Sequence, residues 1–510
     1  MRTRQILFGI ALVLTTSVAL SAQEPTGEER AAAWFEAHRA RPVMARMFLQ
    51  RMPKGGDIHT HLSGAVYAES YIGWAAGANL CANTTTGAIV ACGAPPSEAR
   101  PVAEALRDPA FYSLIVDGLS TRNLANQPQS GHDQFFDAFS KFRAATKDRS
   151  ADMVAELATR AADQNILYLE IMLTIGGDAL WTLAGHVPFD AGDFAASRQR
   201  LLDAGLAETV KSGRAELDKL EQQIDAILGC GREPAPPACR VGRRYLQQAS
   251  RTSEPNIVFA QLVYGFELAR ADRRVVGLNM VAPEDFLVAR RDYSLHMRIV
   301  GWLTDLHGVV KTALHAGELT LGLVPPSDLR FHIREAVEVA KARRIGHGVD
   351  IAYERDAMQL LAEMKRRDVL VEICLTSNDV ILGVRGSRHP FPEYLNAGVP
   401  VTLATDDEGV SRIDLTNEYL RAAETYGLGY RQLKQLSRNS LTYSFLAGDS
   451  LWRSASDPQP VAACAGQRPD QSPSPACQSF LAANDKARIQ WDLERAFHAF
   501  EAESWDANVR

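Results

Sequence analysis

Two histidines stand two residues apart in the segment Asp57-Ile58-His59-Thr60-His61. Side chains alternate between the two faces of a β-strand, so His59 and His61 would point the same way on a strand and could bind one metal ion. The pattern alone is weak evidence, because two of the 12 histidines of the chain can fall together by chance. It needs partners elsewhere in the sequence.

Further metal-binding and acid–base groups end other short β-favouring segments. His315 is followed by Ala316-Gly317-Glu318, His347 lies in Arg344-Ile345-Gly346-His347-Gly348, and Asp406 and Asp407 follow Thr405. Three imidazoles and a carboxylate are typical of a catalytic zinc site in which water takes the open position. The joint occurrence of these groups predicts a metal centre.

The elements that must position these groups alternate between strand and helix. Short runs rich in β-favouring residues occur at Gly56–Leu62, Ile166–Thr174, Ile257–Gly265, Arg274–Val281, Val309–His315, Arg344–Val349, Val369–Thr376 and Val399–Thr405. Most are separated by stretches with helical spacing of apolar residues, which predicts parallel strands and, by count, a closed (β/α)₈ TIM barrel. An open doubly wound sheet is the competing topology. The barrel is favoured because the chemical residues recur at strand ends all along the chain, where barrel enzymes carry their catalytic groups.

The alternation of strands and helices also predicts the domain organisation. We expect an N-terminal helical extension at residues 23–52 and one barrel domain at residues 53–510, without an independent second domain. Loop insertions at about residues 75–130, 176–255 and 453–480 would shape the mouth of the barrel or an oligomer contact, which makes a homodimer plausible.

The N-terminus has the pattern of a secretory signal peptide over residues 1–22. Arg2 and Arg4 precede an apolar run at Ile6–Leu14, and small and polar residues follow as far as Gln23. An uncleaved membrane anchor is the alternative, although the run is too short to cross a bilayer. The sequence therefore predicts export to the periplasm or the medium, with no stable membrane insertion after cleavage.

The cysteines agree with export. Six of the seven form three close pairs, Cys81 with Cys92, Cys230 with Cys239, and Cys464 with Cys477, each around a loop-like stretch. Short local disulfides favour an oxidising compartment, although six cysteines allow 15 pairings. The seventh, Cys374, stands in an apolar run and is expected to be a buried free thiol.

The charge distribution argues against nucleic acid as a partner. The formal net charge is −6, and no long run of Lys and Arg occurs. The fourth predicted strand also bears on metal count, because two-metal barrels usually place a bridging carboxylate or modified Lys there. Residues 274–280 contain no Lys and no acid, so one metal ion is expected.

Together these segments closely resemble the adenosine deaminase family of the metal-dependent amidohydrolases. The resemblance runs in order from about residue 50 to 450. The segments that carry it are Met52–Ala65, His315–Glu318, Arg344–Gly348, Thr376–Asn378 and Thr405–Asp407. The export signal and the loop cysteines are more similar to the secreted, growth-factor-related branch of that family.

The resemblance implies roles for individual residues. His59, His61, His315 and Asp406 would hold one zinc ion, which activates water for attack on the ring carbon that bears the amino group. Glu318 would protonate the neighbouring ring nitrogen, and His347 would orient or deprotonate the water. Asp407 would bind the purine, and Gly317 would leave room for the base. The implied reaction is hydrolytic deamination of adenosine or 2′-deoxyadenosine.

Three positions depart from the family pattern. Ser63 replaces an Asp that usually binds the ribose, and a hydroxyl binds a sugar oxygen more weakly than a carboxylate does. Ala282 replaces a glycine whose backbone N–H meets the purine, and Cys374-Leu375 replaces the usual Cys-Pro. These departures weaken the assignment of the sugar but touch neither the metal ligands nor the acid.

Three alternatives therefore stay open. The substrate could be adenine or another aminopurine nucleoside, which Ser63 favours. The barrel could instead hydrolyse amide or ester bonds with two metal ions, against which Glu318 and the fourth strand argue. A secreted binding protein without catalysis is the third alternative, although such proteins typically lose a ligand or the proton donor, and this chain has lost neither.

Overall fold

Eight parallel strands form the centre of the protein in a computed structural model that describes residues 24–93, 98–126 and 128–505. The strands are β1 (Gly56–His61), β2 (Tyr168–Leu173), β3 (Gly242–Ser250), β4 (Val275–Val281), β5 (Lys311–Ala316), β6 (Arg344–His347), β7 (Leu370–Ile373) and β8 (Val401–Leu403). Each strand pairs in parallel with the next along the chain. A parallel bridge between Thr60 and Asp406 joins the first and last strands. The predicted (β/α)₈ barrel is confirmed, and the open sheet is wrong.

Helices surround the barrel and connect its strands. Before β1 and between β1 and β3 they span Gly27–His38, Pro42–Arg51, Leu62–Ala65, Ala68–Gly77, Val102–Ala105, Pro109–Gly118, Gly131–Phe142, Ser150–Asp163, Gly177–His186, Phe194–Asp203 and Leu206–Leu228. From β3 to β8 they span Pro255–Ala271, Leu287–Arg291, Tyr293–Leu306, His332–Glu338, Ala357–Arg366, Leu375–Leu382 and Phe391–Ala397. After β8 they span Glu408–Ser411, Leu415–Tyr426, Tyr430–Thr442, Pro475–Ala483 and Asp485–Glu501.

The third strand differs from the sequence prediction. Residues 257–265, predicted as a strand, are part of the helix Pro255–Ala271, and β3 lies at Gly242–Ser250. Most of this helix is buried on all sides, and an unbroken apolar run does not distinguish a buried helix from a buried strand. The interruption between β2 and β3 therefore ends at residue 241, whereas the predicted insertion at 176–255 extended through the strand.

The insertion between β1 and β2 contains a small second sheet. Between β1 and β2, the segments Cys81–Asn83, Ile89–Val90 and Ala99–Pro101 form a three-stranded antiparallel sheet.

The N-terminal extension consists of two helices. Pro42 occupies the first turn of the second helix, where its missing N–H costs no hydrogen bond. Residues 1–22, predicted as a signal peptide, lie outside the described residues.

All three cysteine pairs form disulfides: Cys81–Cys92, Cys230–Cys239 and Cys464–Cys477. The structure thereby selects one connectivity among the fifteen that the sequence left open. Cys374 is a buried free thiol, as predicted. Among residues 24–93, 98–126 and 128–505, no helix combines the length and apolar character required to cross a membrane.

Candidate active site

Four predicted metal ligands converge at the carboxyl ends of the strands. One ligand atom from each of His59, His61, His315 and Asp406 lies within 4.8 Å of the others. His61 Nε2 is 3.2 Å from His315 Nε2 and 3.3 Å from Asp406 Oδ1, and His59 Nε2 is 3.4 Å from the same Asp406 oxygen. The strands β1, β5 and β8 thus bring together residues far apart in the sequence, as predicted.

The hydrogen bonds behind these side chains test whether the cluster fits a metal ion. His59 Nδ1 donates to Glu372 Oε2 at 2.6 Å, and His315 Nδ1 donates to Asn279 Oδ1 at 2.6 Å. Each bond fixes the proton on Nδ1 and leaves Nε2 with a free lone pair, the arrangement that metal-binding histidines use. His59 Nε2 is buried and has no hydrogen-bond partner among the described residues. The donor set therefore fits a metal ion.

Asp406 accepts a supporting hydrogen bond, and an amide nitrogen lies beside His61. Ser377 Oγ donates to Asp406 Oδ2 at 2.7 Å, which leaves Oδ1 to face the histidines. The side-chain amide of Gln248 lies 3.2 Å from His61 Nδ1. No local pattern of the sequence marks Glu372, Asn279 or Gln248 as supporting groups, because only the closed barrel places them beside the proposed ligands.

The backbone is strained where the strands reach the site. Ala282 after β4, His347 at the end of β6 and Asp406 after β8 have φ values of 82°, 69° and 62°. This left-handed region costs a residue with a Cβ roughly 1–2 kcal/mol. Such strain clusters at functional sites, where the surrounding structure holds the residue in place.

Two carboxyl groups beside the cluster have unusual protonation. Burial, together with the nearby charge of Asp406, raises the pKa of Glu318 and of Asp407 well above their ordinary values. Glu318 Oε1 and Asp407 Oδ1 are buried without hydrogen-bond partners in the described part of the chain. A carboxyl group that keeps its proton in a buried cleft is suited to proton donation.

Glu284 holds the loop that carries Glu318, a role that the sequence did not indicate. Its carboxylate accepts hydrogen bonds from the backbone N–H groups of Gly317 and Glu318 at 3.1 and 3.0 Å. It also accepts from His332 Nδ1 at 2.6 Å and lies 3.6 Å from Arg251. The fully buried Glu284 therefore fixes the position of the acid.

Two glycines make close approaches at the site. A Cβ on Gly64 would lie 1.5 Å from Asp407 Oδ1, so only glycine lets the Asp407 side chain occupy its place. Gly317 has a φ of 76°, and its Cβ would lie 2.4 Å from Asp350. The space that the structure requires at Gly317 thus faces Asp350, and its role in admitting a base stays a prediction.

The His347 ring lies next to two of the proposed ligands. Its ring centroid is 5.1 Å from those of His59 and His315, and one of its ring nitrogens lies within 4.8 Å of carboxylate oxygens of Glu318 and Asp406. Burial lowers the pKa of His347 to about 3, which keeps the ring neutral. Its Nδ1 is 2.9 Å from Asn378 Nδ2.

A cavity of about 330 Å³ opens above the cluster, which is within the usual range for small-molecule sites. It is lined by His61, Ser63, Phe135, Phe136, Phe139, Gln248, Val281, Ala282, Pro283, Phe286, His315, Glu318, Ile381, Asp406 and Asp407. The predicted substrate contacts Ser63, Ala282 and Asp407 thus face the cavity, whereas Gly317 is not among its lining residues. No Lys or Arg of the described chain lines it.

A barrel with three imidazoles and a carboxylate at its strand ends, beside an acid of raised pKa, is typical of metal-dependent hydrolases. The model of the adenosine deaminase family matches residues 118–453. The chain therefore belongs to the adenosine deaminase family. The match begins after β1, so the placement of His59 and His61 rests on the geometry above.

Individual relatives are similar over shorter stretches. The chain is 36% identical over 141 residues to an adenosine deaminase of Enterococcus faecalis, which covers 28% of this chain and 38% of the relative. It is 40% identical over 133 residues to an aminodeoxyfutalosine deaminase of Streptomyces coelicolor, covering 26% and 32%. The chain thus matches about a third of the length of either curated relative.

One solved structure extends the likeness to most of the fold. The Arabidopsis N6-mAMP deaminase superposes with a TM-score of 0.50 at 20% identity, over 79% of this chain and 96% of that chain. At this level of identity the comparison supports the barrel alone.

Proposed function

We propose that this protein is a zinc-dependent deaminase that converts adenosine or 2′-deoxyadenosine to inosine or 2′-deoxyinosine. The observation that carries the proposal is the convergence of His59, His61, His315 and Asp406 beside Glu318. The reaction adds one water at the ring carbon that bears the amino group and releases ammonia. The resemblance of both curated relatives to this chain supports a deamination chemistry.

The cluster would hold a single zinc ion through three Nε2 atoms and one carboxylate oxygen. A zinc ion in such a site lowers the pKa of bound water from 15.7 towards about 7, which supplies a nucleophile at neutral pH. The protein contributes the orientation of the ligands, since Glu372 and Asn279 fix the tautomers of His59 and His315.

The acid–base groups act on the substrate ring. Glu318, kept protonated by burial, donates its proton to the ring nitrogen next to the attacked carbon. Asp407 has a free oxygen in the cavity wall and holds the purine by a hydrogen bond. The absence of Lys and Arg from the described cavity lining favours an unphosphorylated substrate.

Ser63 supports a second candidate within the same chemistry. It lines the cavity at the position where the family pattern has an Asp for the ribose. A hydroxyl there gives the sugar a weaker anchor, which favours adenine or another aminopurine nucleoside as the substrate.

We also propose that the protein acts outside the cytoplasm. The three disulfides that staple loops support an oxidising compartment. The test is to express the full chain in its host, separate the cell fractions and locate the protein and its N-terminus. Protein found only in the cytoplasm with residues 1–22 intact would overturn this proposal.

The test of the reaction uses purified protein whose zinc content has been measured. Adenosine, 2′-deoxyadenosine, adenine and AMP are supplied separately, and product and ammonia are quantified. The proposal predicts ammonia release from the nucleosides, with AMP turned over far more slowly. Ammonia from adenine but not adenosine would favour the second candidate, and no deamination of any aminopurine would overturn both.

A further inference from the structure

A chain of buried hydrogen bonds runs from a backbone amide to His347. The Phe391 N–H donates to His389 Nδ1 at 3.1 Å, and His389 Nε2 is 3.0 Å from Asn378 Oδ1. Asn378 Nδ2 is in turn 2.9 Å from His347 Nδ1. His389, Asn378 and His347 are all buried, with exposed fractions of 2%, 0% and 0%.

The polarity of this chain is fixed at its first link. A backbone N–H can only donate, so His389 Nδ1 must accept, and a neutral His389 carries its proton on Nε2. Burial lowers the pKa of His389 to about 4, which keeps it neutral. His389 Nε2 therefore donates to the oxygen of Asn378, and the amide N–H₂ of Asn378 is left to face His347 Nδ1.

We propose that His389 and Asn378 are positioning residues that hold His347 in the tautomer with its proton on Nε2. This assignment rests on the proposed function, since it concerns the residue expected to handle the attacking water. His347 Nδ1 lies 2.9 Å from the amide nitrogen of Asn378 and accepts its N–H, whereas Glu318 Oε1, at 3.6 Å, lies beyond hydrogen-bond distance of the same nitrogen. The only ring proton of a neutral His347 is therefore on Nε2. That nitrogen is buried and unpartnered within the described chain.

The tautomer is opposite to that of two neighbouring proposed metal ligands. His59 and His315 keep their protons on Nδ1 and offer a lone pair from Nε2. His347 offers a proton from Nε2, which makes it a hydrogen-bond donor to the oxygen of the attacking water. A neutral His347 in this tautomer orients the water and does not remove its proton.

The test exchanges the polarity at Asn378 without changing its shape. In Asn378→Asp the carboxylate accepts from both histidines, which moves the His347 proton to Nδ1. Nitrogen-15 NMR of histidine-labelled, zinc-loaded protein reads the tautomer directly, with the His347 signal assigned by its loss in His347→Gln. We expect a protonated Nε2 in the wild type and a protonated Nδ1 in Asn378→Asp.

The kinetic readout accompanies the NMR. We expect kcat of Asn378→Asp to fall about 10²–10⁴-fold with a much smaller change in KM, because a wrong tautomer of a catalytic histidine costs up to about 10⁴-fold in a serine protease. A wild-type His347 protonated on Nδ1, or an unchanged kcat in Asn378→Asp, would overturn the proposal.

A second pair of variants covers the case in which Asn378→Asp does not fold. The Nε2 group of Gln in His389→Gln can replace the histidine donor, whereas His389→Leu removes it. We expect His389→Gln to keep most of the wild-type kcat and His389→Leu to lose at least about tenfold. Equal activities in the two variants would overturn the proposal. Failure of the proposed deamination itself would leave the NMR tautomer as an independent reading.

Discussion

Buried charged groups have different surroundings at the two ends of the barrel interior. At the amino ends of the strands, Arg344 lies between Glu170 and Glu372, at 2.7 and 2.6 Å, and stacks over the Phe445 ring at 3.9 Å. Tyr168 donates a further hydrogen bond to Glu170. At the carboxyl ends, the contacts between charged or titratable groups are longer, 3.4 Å from His59 Nε2 to Asp406 and 3.6 Å from His347 Nδ1 to Glu318, and Asp407 Oδ1 has no hydrogen-bond partner among the described residues.

The charged groups at the amino ends therefore contribute to the stability of the fold, whereas those at the carboxyl ends are available to bind a ligand. Both sets belong to one continuous barrel interior. A buried charge with a close partner contributes to the fold, because the loss of either partner leaves the other uncompensated. Buried groups without partners cost stability unless a ligand satisfies them. Glu372 connects the two ends, since one of its oxygens pairs with Arg344 and the other accepts from His59.

The largest effect is expected for a variant that changes only the candidate active site at the carboxyl ends of the strands. Replacing Glu318 by Gln removes the proposed proton donor, so kcat should fall about 10²–10⁴-fold, the usual contribution of general acid catalysis. The zinc content and the free energy of unfolding should not fall, because Glu318 is not a proposed ligand and its Oε1 has no hydrogen-bond partner in the described part of the chain. Steady-state kinetics, metal analysis and denaturant unfolding measure the three quantities.

Glu338→Gln is the control for this variant, because Glu338 lies on the helix His332–Glu338 outside the barrel. Its kcat should equal that of the wild type. Full activity in Glu318→Gln would remove this residue from the mechanism.

The next largest effect is expected for a variant that removes the buried ion pairs at the amino ends of the strands. Arg344→Met leaves Glu170 and Glu372 without their cation, which should lower the free energy of unfolding by about 3–5 kcal/mol. The neighbour Arg343 is exposed, so Arg343→Met should change stability by no more than about 0.5 kcal/mol. Urea unfolding of both variants makes the comparison, and equal stabilities would contradict the assigned role of the ion pairs.

A smaller effect concerns the backbone strain at the carboxyl ends of the strands. Ala282 has a φ of 82°, so Ala282→Gly should raise the free energy of unfolding by up to about 1 kcal/mol. Ala215 is exposed within the helix Leu206–Leu228, and Ala215→Gly should lower it by about 1 kcal/mol. A loss of stability in both variants would show that the strain at Ala282 is absent.

The smallest effect concerns His132, on the helix Gly131–Phe142 that also carries Phe135 of the cavity wall. Burial alone would lower the pKa of His132, but hydrogen bonds to Asp285 and Asp133 raise it above its ordinary value. The raised pKa stabilises the fold below the unfolded-state value of about 6.5 and is lost as pH rises through the folded-state pKa. His132→Gln should therefore lose stability, by less than about 1 kcal/mol, in acid and not at alkaline pH. A difference from the wild type that does not vary with pH would contradict this.

The sequence was sufficient for most of the barrel but not for its third strand. The segment Gly242–Ser250 contains Arg243, Arg244, Gln247 and Gln248 and therefore lacks an apolar pattern. Arg243 pairs with Glu221, and Gln247 bonds to the Ile175 backbone. These tertiary partners satisfy the polar side chains, and no local pattern of the sequence reveals them.

The site shows the same limit. The convergence of His59, His61, His315 and Asp406 could be predicted because metal chemistry restricts the residue types. Glu284, Glu372 and His389 could not be, because a carboxylate or histidine that supports another residue has no distinctive local spacing. Only the folded barrel brings them behind the groups that they hold.

A crystal structure of the zinc-loaded protein, with anomalous diffraction recorded at the zinc edge, tests the central claim most directly. We predict one zinc peak bound by His59, His61, His315 and Asp406, with the carboxyl group of Glu318 facing the same cavity. A peak elsewhere, two metal ions in the barrel, or Glu318 turned away from the cavity would contradict it.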